Sequence, residues 1–206
     1  MGVEFEQGEK NLRDLIDWYS TNVNEITRNE ATTRLHLIDR LLFECLGWNR
    51  EDCITEERIN NQYIDYSFYC PGCLFIVEAK REGEYFELPI GTESLKYNIS
   101  FFSRRVKGAS SAIKQAIGYC QSHGVPFGAV CNGHQLIAFI GSRSDGYPPL
   151  EGQALVFDSL QAMERNFFTM WQCLSRAGIM SRRLSIELQG TVINPPPEKL
   201  SQRTTG

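Results

Sequence analysis

Apolar positions recur at helical spacing early in the chain. Ile38, Leu41, Leu42, Cys45 and Leu46 form one stripe and predict a helix from Glu30 to about Leu46. Asn29 is its candidate N-cap and Gly47 its candidate stop. An earlier amphipathic stretch, Leu12 to Tyr19, is expected to pack beside it. Three β-like runs follow, Cys53–Ile59, Tyr63–Tyr69 and Cys73–Lys80. Residues 82–107 show no period and read as irregular; they include Pro89 and Gly91. A second helix is predicted over Ala109–Gln121, on the stripe Ala109, Ala112, Ile113, Ala116, Ile117 and Cys120. Phe127–Cys131 and Gln135–Ile140 flank Asn132-Gly133, the strongest short hairpin signal in the chain. A strand near Ala154–Phe157 leads into a helix from about Ser159 to Leu174, with Asp158 as its cap. Residues 191–206, which contain three consecutive prolines, read as an extended tail or linker.

The 206 residues and their 42% hydrophobic content suit a single α/β domain over residues 1–190. Its core is expected at about 29–141, with a C-terminal strand and helix at about 154–175. A mixed central β-sheet flanked by helices on both faces is the expected architecture. Aromatic content of 11% opposes disorder. No apolar run reaches the roughly 18 residues needed to span a bilayer. The start, Met1-Gly2-Val3-Glu4, lacks a basic-then-apolar leader. Seven scattered cysteines read as reduced thiols, so a cytoplasmic location is expected. With 21 Lys+Arg against 25 Asp+Glu, the formal charge of −4 weighs against a protein that coats nucleic acid indiscriminately. An enzyme that holds metal with carboxylates and grips a phosphate backbone locally remains compatible.

The chemistry-bearing stretch is Tyr63 to Arg81, YIDYSFYCPGCLFIVEAKR. Pro71-Gly72 is a turn dipeptide, with Gly72 expected at positive φ. If 70–73 closes the turn symmetrically, Asp65 and Glu78 become cross-strand partners, with Cβ atoms roughly 4.5–5.5 Å apart. Like charges so placed among apolar neighbours are costly, and a divalent cation turns that repulsion into coordination. Strand alternation puts Lys80 on the face of Glu78 and turns Ala79 away. Two hard oxygen ligands beside an ammonium suit Mg²⁺ or Mn²⁺ rather than zinc. The same residues also fit a solvated edge hairpin in which Lys80 is only a salt-bridge partner.

Asp65 followed by Glu78-Ala79-Lys80 resembles the PD-(D/E)XK nuclease superfamily, with Ile64 where that name has proline. More narrowly, the chain resembles the N-terminal nuclease domain of type I restriction enzyme R subunits and related defence proteins. Gln115-Ala116-Ile117-Gly118-Tyr119 is similar to the Q-x-x-x-Y motif of that subgroup. Asn29 through Arg34, continuing to Leu46-Gly47-Trp48, resembles its first helix, and Cys131-Asn132-Gly133 its strand-ending N-G. The resemblance covers about residues 29–141.

It implies a restriction-endonuclease-like fold and a Mg-dependent DNA endonuclease, active in restriction or anti-phage defence. Asp65, Glu78 and the Ala79 carbonyl would hold Mg²⁺ (or Mn²⁺), with Glu30 approaching the metal. Lys80 would orient the attacking water or stabilise charge on phosphorus. Gln115 and Tyr119, i and i+4 on one helical face, would contact the phosphate backbone or position Lys80. An ordinary boundary pair, with the tyrosine half-buried and the glutamine solvated, is the other reading of those two. Arg81, Lys96, Arg104, Arg105, Lys107 and Lys114 offer a local basic surface for DNA. Cys70-x-x-Cys73 lacks a second ligand pair, so no structural zinc is expected. The three histidines form no triad. A second class of function is a nucleic-acid-binding or assembly module of a larger ATP-dependent complex, whose ATPase or translocase partner would lie elsewhere. No Walker G-x-x-x-x-G-K-[ST] occurs in the sequence.

Overall fold

The computed structural model describes residues 3–22, 29–59, 62–81, 84–86, 95–105 and 107–189, without the side chains of 59, 62, 103–105 and 107. The expected tail at 191–206 lies outside the described residues. Helix α1 (Phe5–Asn22) buries Leu12 and Leu15. Helix α2 (Glu30–Thr33) starts where Asn29 caps it, its side chain accepting from the Thr32 amide. The predicted helix continues, but with a wider winding than the 3.6-residue stripe implies. Arg34–Ile38 and Arg40–Cys45 are π-helical, and bonds such as Leu46 N–H to the Leu41 carbonyl span five residues. Gly47, at φ +70, ends it, where a side chain would crowd the Val3 carbonyl.

Strands β1 (Cys53–Ile59), β2 (Gln62–Tyr69) and β3 (Cys73–Ala79) form an antiparallel meander. A short β4 (Lys96–Asn98) runs into α3 (Ile99–Arg105) and then α4 (Lys107–His123). Next come β5 (Phe127–Cys131), β6 (Leu136–Ile140) and β7 (Gln153–Phe157). Among the described residues they make one open seven-stranded sheet in the order β1-β2-β3-β5-β6-β7-β4. Only the central β3–β5 contact is parallel. Helices α5 (Leu160–Arg165), α6 (Phe167–Leu174), α7 (Arg176–Met180) and α8 (Arg183–Gln189) close the described chain.

Alternation along the strands divides the core between two helical layers. Phe75, Val77, Ala129 and Leu136 pack with α1, the π-helical segment and α5–α8. Val130, Ile137 and Phe139 pack with α3 and α4, and Ile64 and Ile76 with the C-terminal end of α4. The mixed α/β sheet with helices on both faces is therefore present. No helix among the described residues is long and apolar enough to cross a membrane.

Several local expectations are corrected. The stretch read as irregular contains β4 and α3, because a three-residue edge strand carries no legible period. The single helix expected over 159–174 is two, since Asn166 leaves helical geometry (φ −117, ψ 26) while its side chain bonds the Ala162 carbonyl. Ser159, not Asp158, caps it by accepting from the Ala162 amide, while Asp158 accepts from the Ser159 hydroxyl. The β2–β3 turn closes on Tyr69 and Cys73 through a bulge after Phe68. Gly72 is not at positive φ, and the Cys70–Pro71 peptide is cis.

Candidate metal-binding site

Beyond that bulge the β2–β3 register is the one the symmetric turn implies, with Phe68 opposite Phe75, Ser67 opposite Ile76 and Tyr66 opposite Val77. The ladder then ends, one step short of Asp65 and Glu78. The β1–β2 ladder also skips this level, passing from Thr55–Tyr66 to Glu57–Ile64. Glu56, opposite Asp65, has φ 53, a conformation that costs a non-glycine residue of order 1 kcal/mol or more. Ile64 and Tyr66 consequently join core clusters on opposite sheet faces. Asp65 thus sits at a break in the strand, and its Oδ2 accepts a 2.7 Å hydrogen bond from the Ala79 amide.

Glu78 and Lys80 emerge together at the end of β3, while Ala79 packs with Phe75 and Val77 on the other face. The Lys80 ammonium donates to Glu78 Oε1 at 2.7 Å. Glu78 Oε2 is buried and has no hydrogen-bond partner among the described residues. Because β3 is an interior strand and the Glu78 side chain is 4% exposed, a solvated edge hairpin does not describe this pair.

Burial pushes the Glu78 carboxyl up to about 7; Lys80 opposes the shift, and the charges of Asp65 and Glu30 add to it. Burial also raises Asp65, against the pull of the Ala79 amide, Arg34 and Lys80. For Lys80, burial works against the charge but the Glu78 carboxylate, with Asp65 and Glu30, outweighs it, and the ammonium is held above its ordinary value. Glu30 is itself exposed in the first turn of α2.

Gln115 and Tyr119 are brought to β2 rather than to Lys80. Gln115 Nε2 donates to the Tyr119 hydroxyl at 3.0 Å, and that hydroxyl donates to the Tyr63 carbonyl at 2.8 Å. Tyr119 is buried and Gln115 exposed, so the pair ties α4 to the strand two residues before Asp65.

Of the expected basic surface, the described side chains are those of Arg81, Lys96 and Lys114. Arg81 is exposed and paired with Glu84, and Lys114 is exposed on α4. Arg104, Arg105 and Lys107 lie in α3 and α4, but their side chains are outside the described residues. Lys96 does not belong to this surface. It is bonded to Glu187 at 2.6 Å on the far edge strand, four strand spacings from β3, or about 19 Å.

Arg34, which no sequence pattern marks as a site residue, donates to the Asp65 carbonyl and lies 3.6 Å from its Oδ1. Asn132, which the sequence marks only as a turn residue, pairs with Gln135 at the β5–β6 turn. Asn132 donates to the Glu84 carbonyl, and Gln135 bonds both the amide and the carbonyl of Phe86, pinning the segment after Lys80. A cleft of about 410 Å³ is bounded in part by Arg34, Asp39, Arg50 and Glu56, but not by Asp65, Glu78 or Lys80.

The donor set fits a small hard cation. Among the described residues no three His, Cys, Asp or Glu side chains group as ligands. Mg²⁺, however, is commonly held through one or two carboxylates and keeps several waters. A buried carboxylate oxygen unpartnered among the described residues, within electrostatic reach of Asp65, offers that. Burial raises the Cys70 and Cys73 thiols, the latter to about 11. No family model matches the chain, and no curated protein or solved structure matches it.

Proposed function

We propose that this protein is a divalent-metal-dependent nuclease of restriction-endonuclease-like fold that hydrolyses DNA phosphodiester bonds, in restriction or anti-phage defence. The observation that carries the reading is the unpartnered Glu78 Oε2, buried beside Lys80 and within electrostatic reach of Asp65. A buried acceptor without a donor is costly, and it persists where a ligand supplies the missing partner. The resemblance of Asp65, Glu78-Ala79-Lys80 and the Gln115/Tyr119 pair to PD-(D/E)XK enzymes supports the same reading.

Asp65 and Glu78, with the Ala79 carbonyl, would hold Mg²⁺ or Mn²⁺, and exposed Glu30 adds negative charge at the approach. When bound, such an ion polarises the phosphate and lowers the pKa of water. Lys80, half-buried and held protonated by its neighbouring carboxylates, would orient the attacking water or stabilise the negative charge that develops on phosphorus. Arg81 and Lys114 lie on the exposed rim and grip the backbone through charge alone, so little sequence preference is expected.

The test is cleavage of plasmid DNA with Mg²⁺ by the wild-type chain and by Asp65→Ala, Glu78→Ala and Lys80→Ala. Loss of cleavage in all three supports the reading, and undiminished cleavage in all three overturns it. DNA binding without cleavage under any divalent ion would favour an assembly module working with an ATP-driven partner.

A further inference from the structure

We propose that Arg34 is a positioning residue for the Asp65 carboxylate, and that the π-helical winding of its segment is what aims it there. The proposal rests on reading Asp65 and Glu78 as metal ligands. Where β2 leaves both ladders, strand pairing no longer fixes the Asp65 main chain, although the Ala79 amide of β3 still holds its Oδ2. Arg34 replaces that pairing. Its Nη2 donates to the Asp65 carbonyl at 3.3 Å, its Nη1 to Glu56 Oε1 at 3.0 Å, and its Nε to the Tyr66 hydroxyl at 3.3 Å. The guanidinium also lies 4.9 Å from the centre of the Tyr66 ring. One side chain therefore grips Asp65, the residue after it, and the left-handed residue across from it.

The carboxylate is oriented without being capped. Asp65 Oδ2 is taken by the Ala79 amide, whereas Oδ1 is 3.6 Å from Arg34 Nη1, beyond hydrogen-bond length. That oxygen keeps its lone pairs for another ligand. The aim of Arg34 depends in turn on Asp39, whose Oδ1 accepts from the Tyr66 hydroxyl at 2.7 Å. In an α-helix, residues five apart point about 140° away from each other. In a π-helical turn they are bonded neighbours, so Arg34 and Asp39 can both reach one hydroxyl. Lysine has no planar fork with which to span these partners.

The experiment titrates Mn²⁺ calorimetrically into the full chain and into Arg34→Ala, Arg34→Lys and Leu12→Ala. Leu12 lies in the α1 core and reports what loss of stability alone does. Both Arg34 variants are expected to bind Mn²⁺ about 10–100-fold more weakly, as loss of an outer-shell partner does at metal sites. Leu12→Ala is expected to stay within about twofold of wild type. Should Arg34→Ala fail to fold, Arg34→Lys carries the comparison. Wild-type affinity in the Arg34 variants, or equal weakening in Leu12→Ala, overturns the proposal. A wild-type chain that binds no Mn²⁺, or an Asp65→Asn chain that binds it normally, overturns the metal-site reading itself and this proposal with it.

Discussion

Lys80 satisfies one oxygen of Glu78 at 2.7 Å and leaves the other, Oε2, buried without a partner among the described residues. A carboxylate used only as a salt-bridge anchor for Lys80 would gain nothing from that arrangement. Glu78→Gln keeps an oxygen for the ammonium and removes the buried charge. The expected outcome at pH 8, without metal, is a Tm about 2–4 °C above wild type, equivalent to roughly 1 kcal/mol. Plasmid cleavage should fall by about 10²-fold or more. Stability gained while activity is lost marks a group kept for function. A variant that is both less stable and fully active would contradict this assignment.

Tyr119 and Gln115 separate structure from function within one motif. The Tyr119 hydroxyl is the link between α4 and the Tyr63 carbonyl, and its removal leaves a carbonyl short of a donor. Tyr119→Phe is expected to cost about 1–2 kcal/mol in chemical denaturation. Gln115 is exposed, so Gln115→Ala should change stability by less than about 0.5 kcal/mol. Its effect should appear instead as weaker DNA binding at low salt. Equal stability losses in the two variants would assign the whole motif to packing.

Asn132 holds more of the fold than its place in a two-residue turn implies. It is fully buried; its amide donates to the Glu84 carbonyl and to Gln135 Oε1, while its oxygen accepts from the amides of His134 and Gln135. Asn132→Ala leaves several buried groups unpaired at once and should cost about 3 kcal/mol, or about 6–12 °C in Tm. Asn132→Asp keeps the acceptor but not the donors, and should recover only part of that loss. Thermal melts of the two variants measure this.

What the sequence revealed depended on periods and on turn chemistry. Asn132-Gly133 marked the β5–β6 hairpin, where Gly133 takes φ 87. The common face of Glu78 and Lys80 follows from strand alternation, and the β2–β3 register at Tyr66–Phe68 from the position of the Pro71-Gly72 turn, whose bulge and cis peptide it does not announce. Arg34 escaped because its partner Asp39 is five residues away, a spacing that matters only once the helix widens. The break at Asp65 escaped because Glu56 carries no glycine-like mark of its left-handed backbone. The Lys96–Glu187 bond joins β4 to α8, and nothing local in either segment announces it.

The pH response of the site follows from Glu78, whose carboxyl burial raises from 4.5 to about 7. A carboxyl raised in the folded state stabilises the fold below the unfolded value. That contribution is lost as pH rises from about 4.5 through about 7. The metal-free protein should therefore lose stability across this window. Metal binding requires the ionised carboxylate, so it must expel a proton below about pH 7 and needs no proton release well above it. Mg²⁺ should accordingly raise Tm little at pH 5.5 and most at pH 8. Calorimetry at pH 6 in two buffers of different ionisation enthalpy should show up to about one proton released per ion, and almost none at pH 8.5. Glu78→Gln should abolish both trends. The same Mg²⁺-induced Tm shift at pH 5.5 and pH 8 would mean that Glu78 is not a ligand.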